Sequence, residues 1–254
     1  MVRTATASGT PILEGRSLTR SFNDFVAVND VSVKVYPKTV HAVIGPNGAG
    51  KSSLFNLLTK FLAPDSGTIL FKGRDITRLR PDEIAGLGMV RSFQISAVFP
   101  SLTAVQNVGI ALQKKEGLNK VFWRSNACLG EIEAGAERLL NKVGMTPYSH
   151  VKASELSYGR RRALELATTL ALDPELLLLD EPMAGLGIED IGLVSDLIEE
   201  LAADHTVLMV EHNLGVVERL SDFVTVMCRG EVLVEGGYSE VASDSRVVQA
   251  YIGD

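Results

Sequence analysis

Cysteine is scarce: the chain holds two, Cys128 and Cys228, far apart and with no companion at metal-ligand spacing. That excludes a disulfide framework and a cysteine-based zinc cluster, so both read as small buried thiols. Long hydrophobic runs are missing too. The greasiest stretch, Ala163 to Leu179, is broken by Asp173, Pro174 and Glu175, and nothing approaches the ~18 to 20 apolar residues that cross a bilayer. Positive charge is not in excess: 25 Lys and Arg against 31 Asp and Glu leave a net charge of -6. Such a chain has no electrostatic footprint for a phosphate backbone, so no nucleic acid partner is expected. There is no internal repeat, no low-complexity run, and no charge block longer than Arg160-Arg161-Arg162. Residues 1–11 are rich in Thr, Ser and Ala, carry only Arg3 as a basic residue and have no apolar core. They read as a flexible tail rather than a secretion signal, and a cytoplasmic location is expected.

What is present is an ordinary globular composition, 46% hydrophobic and 22% charged with 23 Gly and 9 Pro. At 254 residues, against roughly 150 per domain, residues 12–254 read as one large domain with an insertion. Val31, Val33 and Val35 alternate with Ser32 and Lys34, and Val40 to Ile44 is a short apolar run; both read as strands. A glycine-rich turn follows, then Leu54, Phe55, Leu57, Leu58, Phe61 and Leu62 at the spacing of one helix face. Further strands are expected at Thr68–Phe71, Leu176–Leu179, Thr206–Val210, Phe223–Cys228 and Val232–Val234, with a turn at Arg229-Gly230. Between residues 95 and 165 the strand signals give way to Ile132, Ala136, Leu139, Leu140 and Val143 at helical intervals, an α-helical insertion into an α/β domain. Arg160–Leu172 and Ile188–Ala203 read as helices preceding strands, the arrangement of a parallel sheet under helical cover.

Residues 45–52 read GPNGAGKS: Gly45, Pro46, Asn47, Gly48, Ala49, Gly50, Lys51, Ser52, with Ser53 next. This fits G-x-x-x-x-G-K-[ST]. Between a strand and a helix, the glycines let successive backbone N–H groups surround an anion, and the helix N-terminus adds positive potential. Lys51 would neutralise the β and γ phosphates of a bound polyphosphate, and the Ser52 hydroxyl would ligate a Mg2+ bridging them. The apolar strand Leu176–Leu179 delivers Asp180 and Glu181 at its C-terminal edge, where ligands sit in open parallel sheets. Asp180 suits a metal held through water, and Glu181 the water that attacks the γ phosphate. Residues Leu156, Ser157, Tyr158, Gly159 and Arg160 open another helix, a second anion-binding feature.

The set GPNGAGKS, RSFQ, LSYGR, LLLLDEP and VEHN, in that order, resembles the ATP-binding cassette of ABC transporters over essentially Ile12 to Gly253. The resemblance implies a P-loop NTPase fold: a mixed-sheet core, an antiparallel β subdomain and an inserted helical subdomain. It also implies a head-to-tail dimer with a second cassette, identical or paralogous, in which Ser157 and Gly159 of one subunit reach the γ phosphate held by the other. Gln94 resembles the residue that contacts Mg2+ and the attacking water, His212 the histidine that contacts the γ phosphate, and Phe22 the aromatic that stacks on adenine. The implied partners are membrane permease subunits, docked near Phe93 to Leu102 beside Phe93, Val98 and Phe99, and indirectly a solute-binding protein. The implied place is the cytoplasmic face of the plasma membrane.

Tyr158 and Arg160 depart from the broad signature, and Gly187 replaces the usual Asp in the loop after Glu181. Tyr158 within LSYG, AGL after the DEP, VEHN and the closing EGGYSEVASDSRVVQAYIG are similar to ATPase subunits of importers for branched-chain amino acids and related amide or carboxylate solutes. The alternatives are the ATPase of a lipid or lipopolysaccharide exporter, and a soluble cassette acting on nucleic acid or ribosomes. A catalytically dead cassette is disfavoured because Lys51, Asp180, Glu181 and His212 are all present.

Overall fold

The computed structural model describes residues 9–92, 98–115 and 126–252, with only the backbone at 126–129 and 252. The chain divides into two compact units: one formed by residues up to 91, 175–182 and 198 onward, the other by 92–174 and 183–197.

The first unit holds two sheets. In one, β1 (Leu13–Phe22) lies between β2 (Phe25–Val35) and β4 (Ser66–Phe71), antiparallel to both, with β5 (Arg74–Asp75) at the edge. The alternation in β2 has its physical counterpart: Val31, Val33 and Val35 are buried while Ser32 and Lys34 face solvent. The second sheet has the order β10-β9-β3-β8-β7-β6, comprising β3 (Val40–Ile44), β6 (Met89–Ser92), β7 (Leu176–Asp180), β8 (Thr206–Val210), β9 (Phe223–Cys228) and β10 (Glu231–Gly236). Strands β7, β8, β3 and β9 run parallel, and β10 returns antiparallel after the turn at Arg229-Gly230. Every residue of β3, β7 and β8 is buried, as expected for strands covered on both faces.

Helix α1 (Lys51–Leu58) supplies Leu54, Phe55, Leu57 and Leu58 to a core shared with Leu13, Leu18, Ile69, Phe71, Leu178 and Leu208. Burying each such side chain contributes on the order of 1.5 to 3 kcal/mol. The helix stops earlier than the apolar spacing suggests. The Thr59 hydroxyl donates to the Phe55 carbonyl at 2.8 Å, Lys60 takes a left-handed conformation (φ 63°), and Phe61 emerges 51% exposed. Spacing alone does not register that turn. A short α2 (Pro81–Ala85) precedes β6, and α7 (Leu214–Leu220), α8 (Tyr238–Ser243) and α9 (Ser245–Ile252) complete this unit.

In the second unit, α3 (Ala104–Lys115) packs against α4 (Asn126–Lys142) and α5 (Tyr158–Leu170). Ile132, Ala136, Leu140 and Val143 are buried there and Leu139 half-buried. The Asn107 amide closes the segment before α3, accepting from the Phe99 N–H at 2.7 Å and donating to the Thr103 carbonyl at 2.9 Å. Helix α6 (Ile188–Leu201) begins in this unit and ends in the first, with Val194, Ile198 and Leu201 on its buried side.

Candidate functional site

Three adjacent parallel strands, in the order β3, β8, β7, end at three sets of polar residues. After β3 comes the glycine turn. Gly45 has φ 148°, and a Cβ there would stand 2.1 Å from the Met227 carbonyl oxygen, so only glycine fits. Gly48 and Gly50 are left-handed as well, at 77° and 96°. No side chain caps the N-terminus of α1, which leaves its first N–H groups for an anion. Lys51 is buried, and its ammonium donates to the Gly45 and Pro46 carbonyls at 2.8 Å each. Burial lowers the Lys51 pKa, against an opposing pull from the Glu181 charge. Ser52 and Asn47 are exposed; Pro46 and Ser53 are half-buried, and Ala49 is buried behind the turn.

At the end of β7, Asp180 is buried and paired with Arg91 of β6, Nη2 to Oδ2 at 2.5 Å. Its other oxygen, Oδ1, is buried with no protein partner. Burial raises the Asp180 pKa, and Arg91 opposes the shift. Arg91 is held in turn: it donates to the Asn56 amide oxygen at 2.7 Å and lies over the Phe55 and Phe61 rings at 4.9 and 5.0 Å. Glu181 follows with φ 47°, a left-handed turn that lifts its carboxylate off the strand.

At the end of β8, the buried Glu211 carboxylate accepts from the N–H groups of His212 and Asn213 at 2.7 and 2.9 Å. Asn213 caps α7 through its side-chain oxygen. The turn thus fixed brings His212 Nε2 within 3.1 Å of Glu181 Oε1.

Phe22 lies at the end of β1, 44% exposed, with the Arg20 guanidinium 5.1 Å from its ring centre. Arg20 is anchored by Asp65 at 2.7 Å. Gln94 and Phe93 lie outside the described residues. Of the neighbours expected to line a docking surface, Phe99 is half exposed and Val98 is buried.

In the second unit, Leu156 leads into Ser157, the N-cap of α5, whose hydroxyl accepts from the Arg160 N–H at 3.4 Å. A Cβ at Gly159 would meet the Asp190 carboxylate at 2.3 Å, so the close approach of Asp190 explains glycine there. Tyr158 is 45% exposed beside Gly185, and the Arg160 guanidinium lies over the Tyr148 ring at 3.9 Å.

The family model described as ABC transporter matches residues 28–184. The chain belongs to the ABC transporter family. The cassette is 37% identical to the high-affinity branched-chain amino acid transport ATP-binding protein BraF of Pseudomonas aeruginosa, covering 96% of this chain and 98% of that one. It is 35% identical, with the same coverage, to the protein LivG of that same description from Escherichia coli K12. Among solved structures it is similar to the ADP conformation of an ATP-binding cassette of an ABC transporter, with TM-score 0.85, 30% identity, and 97% of this chain and all of that one covered. The fold is thus that of a P-loop ABC ATPase, and ATP hydrolysis is the activity of such cassettes.

Two features of the cassette escape motif reading. Arg91, the first residue of RSFQ, holds Asp180; its only signal is an arginine at a strand end two positions before a phenylalanine, too common to single out. Glu211 builds the turn under His212, and its presence inside VEHN is the available clue. Among the described residues no group of three or more His, Cys, Asp or Glu is placed to hold a metal. Mg2+ commonly takes one or two protein oxygens and completes its shell with substrate phosphates and water. The unpartnered Oδ1 of Asp180 and the exposed Ser52 hydroxyl fit such a site. No helix among the described residues is long and apolar enough to cross a membrane.

Proposed function

We propose that this chain is the ATP-hydrolysing subunit of an importer for branched-chain amino acids or related amide and carboxylate solutes. The Glu181–His212 pair, set beside a buried Asp180 at the ends of β7 and β8, supports hydrolysis rather than passive nucleotide binding. The transport function of the BraF and LivG relatives, with near-complete mutual coverage, supports the cargo class.

In this reading the backbone of Gly45 to Gly50 and the Lys51 ammonium take up the phosphates of ATP, Lys51 exchanging the Gly45 and Pro46 carbonyls for phosphate oxygens. Ser52 and Asp180, with Gln94, would hold Mg2+, which draws charge from the phosphate oxygens. Glu181 accepts the proton of the attacking water, and His212 holds the Glu181 carboxylate in place and reaches the γ phosphate. Phe22 offers its exposed ring to adenine. The segment from Leu156 to Arg160 serves the site of a second cassette, so turnover requires a head-to-tail dimer at the cytoplasmic face of a membrane, against permease subunits fed by a solute-binding protein.

Replacing Glu181 with Gln tests the hydrolytic part: ATP should hold the variant as a dimer in size-exclusion chromatography while turnover stops. A variant that hydrolyses ATP at the parental rate overturns the assignment. Deleting the gene in its host should abolish high-affinity uptake of radiolabelled leucine, isoleucine or valine, or of small amides. Unchanged uptake of all of these, with lipid export impaired, would favour the exporter.

A further inference from the structure

The turn that ends α1 places an aromatic ring where hydrophobic burial alone would not. The helix starts at the phosphate loop and stops after Leu58. There the Thr59 N–H and hydroxyl both donate to the Phe55 carbonyl, at 2.9 and 2.8 Å, and the Leu62 N–H returns to the Asn56 carbonyl at 3.0 Å. Between them Lys60 takes its left-handed conformation, φ 63°, which a residue other than glycine adopts at a cost. The outcome is Phe61, set at the surface with 51% of its area exposed. A ring held that way forgoes much of its hydrophobic stabilisation, so what it touches becomes informative.

Its contact leads to a carboxylate of the candidate site. The Arg91 guanidinium lies over the Phe61 ring at 5.0 Å and over the Phe55 ring at 4.9 Å. Nη1 donates to Asn56 Oδ1 at 2.7 Å and to the Thr59 hydroxyl at 3.3 Å, and Nη2 donates to Asp180 Oδ2 at 2.5 Å. Nε is buried without a hydrogen-bond partner, so the rings and the Nη contacts between them fix the group. Asn56 serves twice: its side chain holds Arg91, and its carbonyl holds the turn that delivers Phe61. A cation is drawn to the face of an aromatic ring, more strongly where water is excluded, and the Arg91 side chain is only 13% exposed. Phe55 is a fully buried core ring that packing already explains. Phe61 is the ring whose place only Arg91 accounts for.

We propose that Phe61 is a positioning residue for metal binding: its ring keeps the Arg91 guanidinium on Asp180 Oδ2, leaving Oδ1 as the oxygen offered to the ion. The inference rests on the proposed role of Asp180 at the Mg2+ of the nucleotide. Groups that orient a metal ligand without touching the ion commonly change metal affinity by about ten- to a hundredfold. Phe61 acts one step further out, through Arg91, and a smaller effect follows. The segment from Lys51 to Phe61 then serves the nucleotide at both ends, with the phosphate loop at one and the support of the metal ligand at the other.

The test measures Mn2+ bound at saturating ADP by electron paramagnetic resonance, in the full-length parent, Phe61→Leu, Phe61→Tyr and Asp180→Asn, together with thermal unfolding of each without ligand. Phe61→Leu keeps an apolar side chain and removes the aromatic face. It should weaken Mn2+ by about three- to tenfold, the scale of a partly buried cation–aromatic contact, with an unfolding midpoint close to the parent's. The Mg2+ concentration for half-maximal ATPase should rise by a similar factor. Phe61→Tyr keeps the face and should restore parental Mn2+ affinity. Parental affinity in Phe61→Leu overturns the proposal. So does a Phe61→Tyr variant as weak as Phe61→Leu, because the loss would then not follow the aromatic face. Parental affinity in Asp180→Asn overturns the metal role of Asp180 and this inference with it, whereas failure of the inference alone leaves Asp180→Asn weakened.

Discussion

The His212 imidazole and the Glu181 carboxylate meet across the ends of two neighbouring parallel strands, Nε2 to Oε1 at 3.1 Å. Neither side chain is placed by its own strand alone. Glu181 leaves β7 through a left-handed turn, and His212 is held by the Glu211 carboxylate under its backbone. Changing Glu181 to Gln should lower kcat by about a hundredfold or more, the usual scale of general-base loss. His212→Ala, which removes the clamp and keeps the base, should lower kcat by at least about tenfold. Steady-state phosphate release at saturating ATP distinguishes the two; equal, unaffected rates would contradict both roles.

Lys51 occupies carbonyls that ATP would replace with phosphate oxygens. Lys51→Ala should therefore weaken MgATP by about ten- to a hundredfold, since hydrogen bonds from a charged donor contribute about 1.5 to 3 kcal/mol. Equilibrium titration with a fluorescent ATP analogue checks this.

How much of this arrangement is legible in the sequence varies along the chain. The buried strands β3, β7 and β8 are largely apolar, with His41, Asp180 and Thr206 their polar members, β2 alternates and β4 holds a short apolar segment, so the core of the larger sheet and two strands of the smaller can be read directly. The edge strands β5 and β6 are short and carry Arg74, Asp75, Arg91 and Ser92, a pattern with no hydrophobic period to detect. The end of α1 departs from the apolar spacing because a left-handed Lys60 cannot be inferred from periodicity. At the site, residue types in fixed motifs point to the glycine turn and to the Asp180-Glu181 edge. Arg91 and Glu211 act through partners that no local motif reveals, and the fold brings them together.

In the Arg91–Asp180 pair Asp180 is buried and Arg91 partly buried, at 4% and 13% side-chain exposure. Removing one partner of such a pair leaves an uncompensated charge, at a cost of about 3 to 5 kcal/mol. Arg91→Ala should lower stability by this order in urea unfolding at pH 8. Arg91 also holds the Asp180 pKa down against burial, so its loss should raise that pKa further and move the acidic limb of the ATPase profile to higher pH. An unmoved limb would mean that Asp180 is not ionised through Arg91.

His41, fully buried in β3 and bonded to Thr225 at 2.7 Å, has its pKa lowered by burial from 6.5 to about 4. The unfolded chain therefore binds a proton that the folded chain refuses between these values. The stabilisation is complete above pH 6.5 and is lost as pH falls towards 4. Between pH 8 and pH 5 this one group should remove about 2 kcal/mol of unfolding free energy. His41→Gln should flatten that dependence; an equally steep loss in the variant would assign it to other groups.

The central claim is that Gly45 to Ser52 grips the phosphates of ATP. Calorimetric titration of MgATP into the purified chain and into Lys51→Ala measures it most directly. A single saturable site per chain that is lost or strongly weakened in Lys51→Ala is the expected result. Absence of binding by the parent, or binding that the Lys51 substitution leaves untouched, would contradict the account.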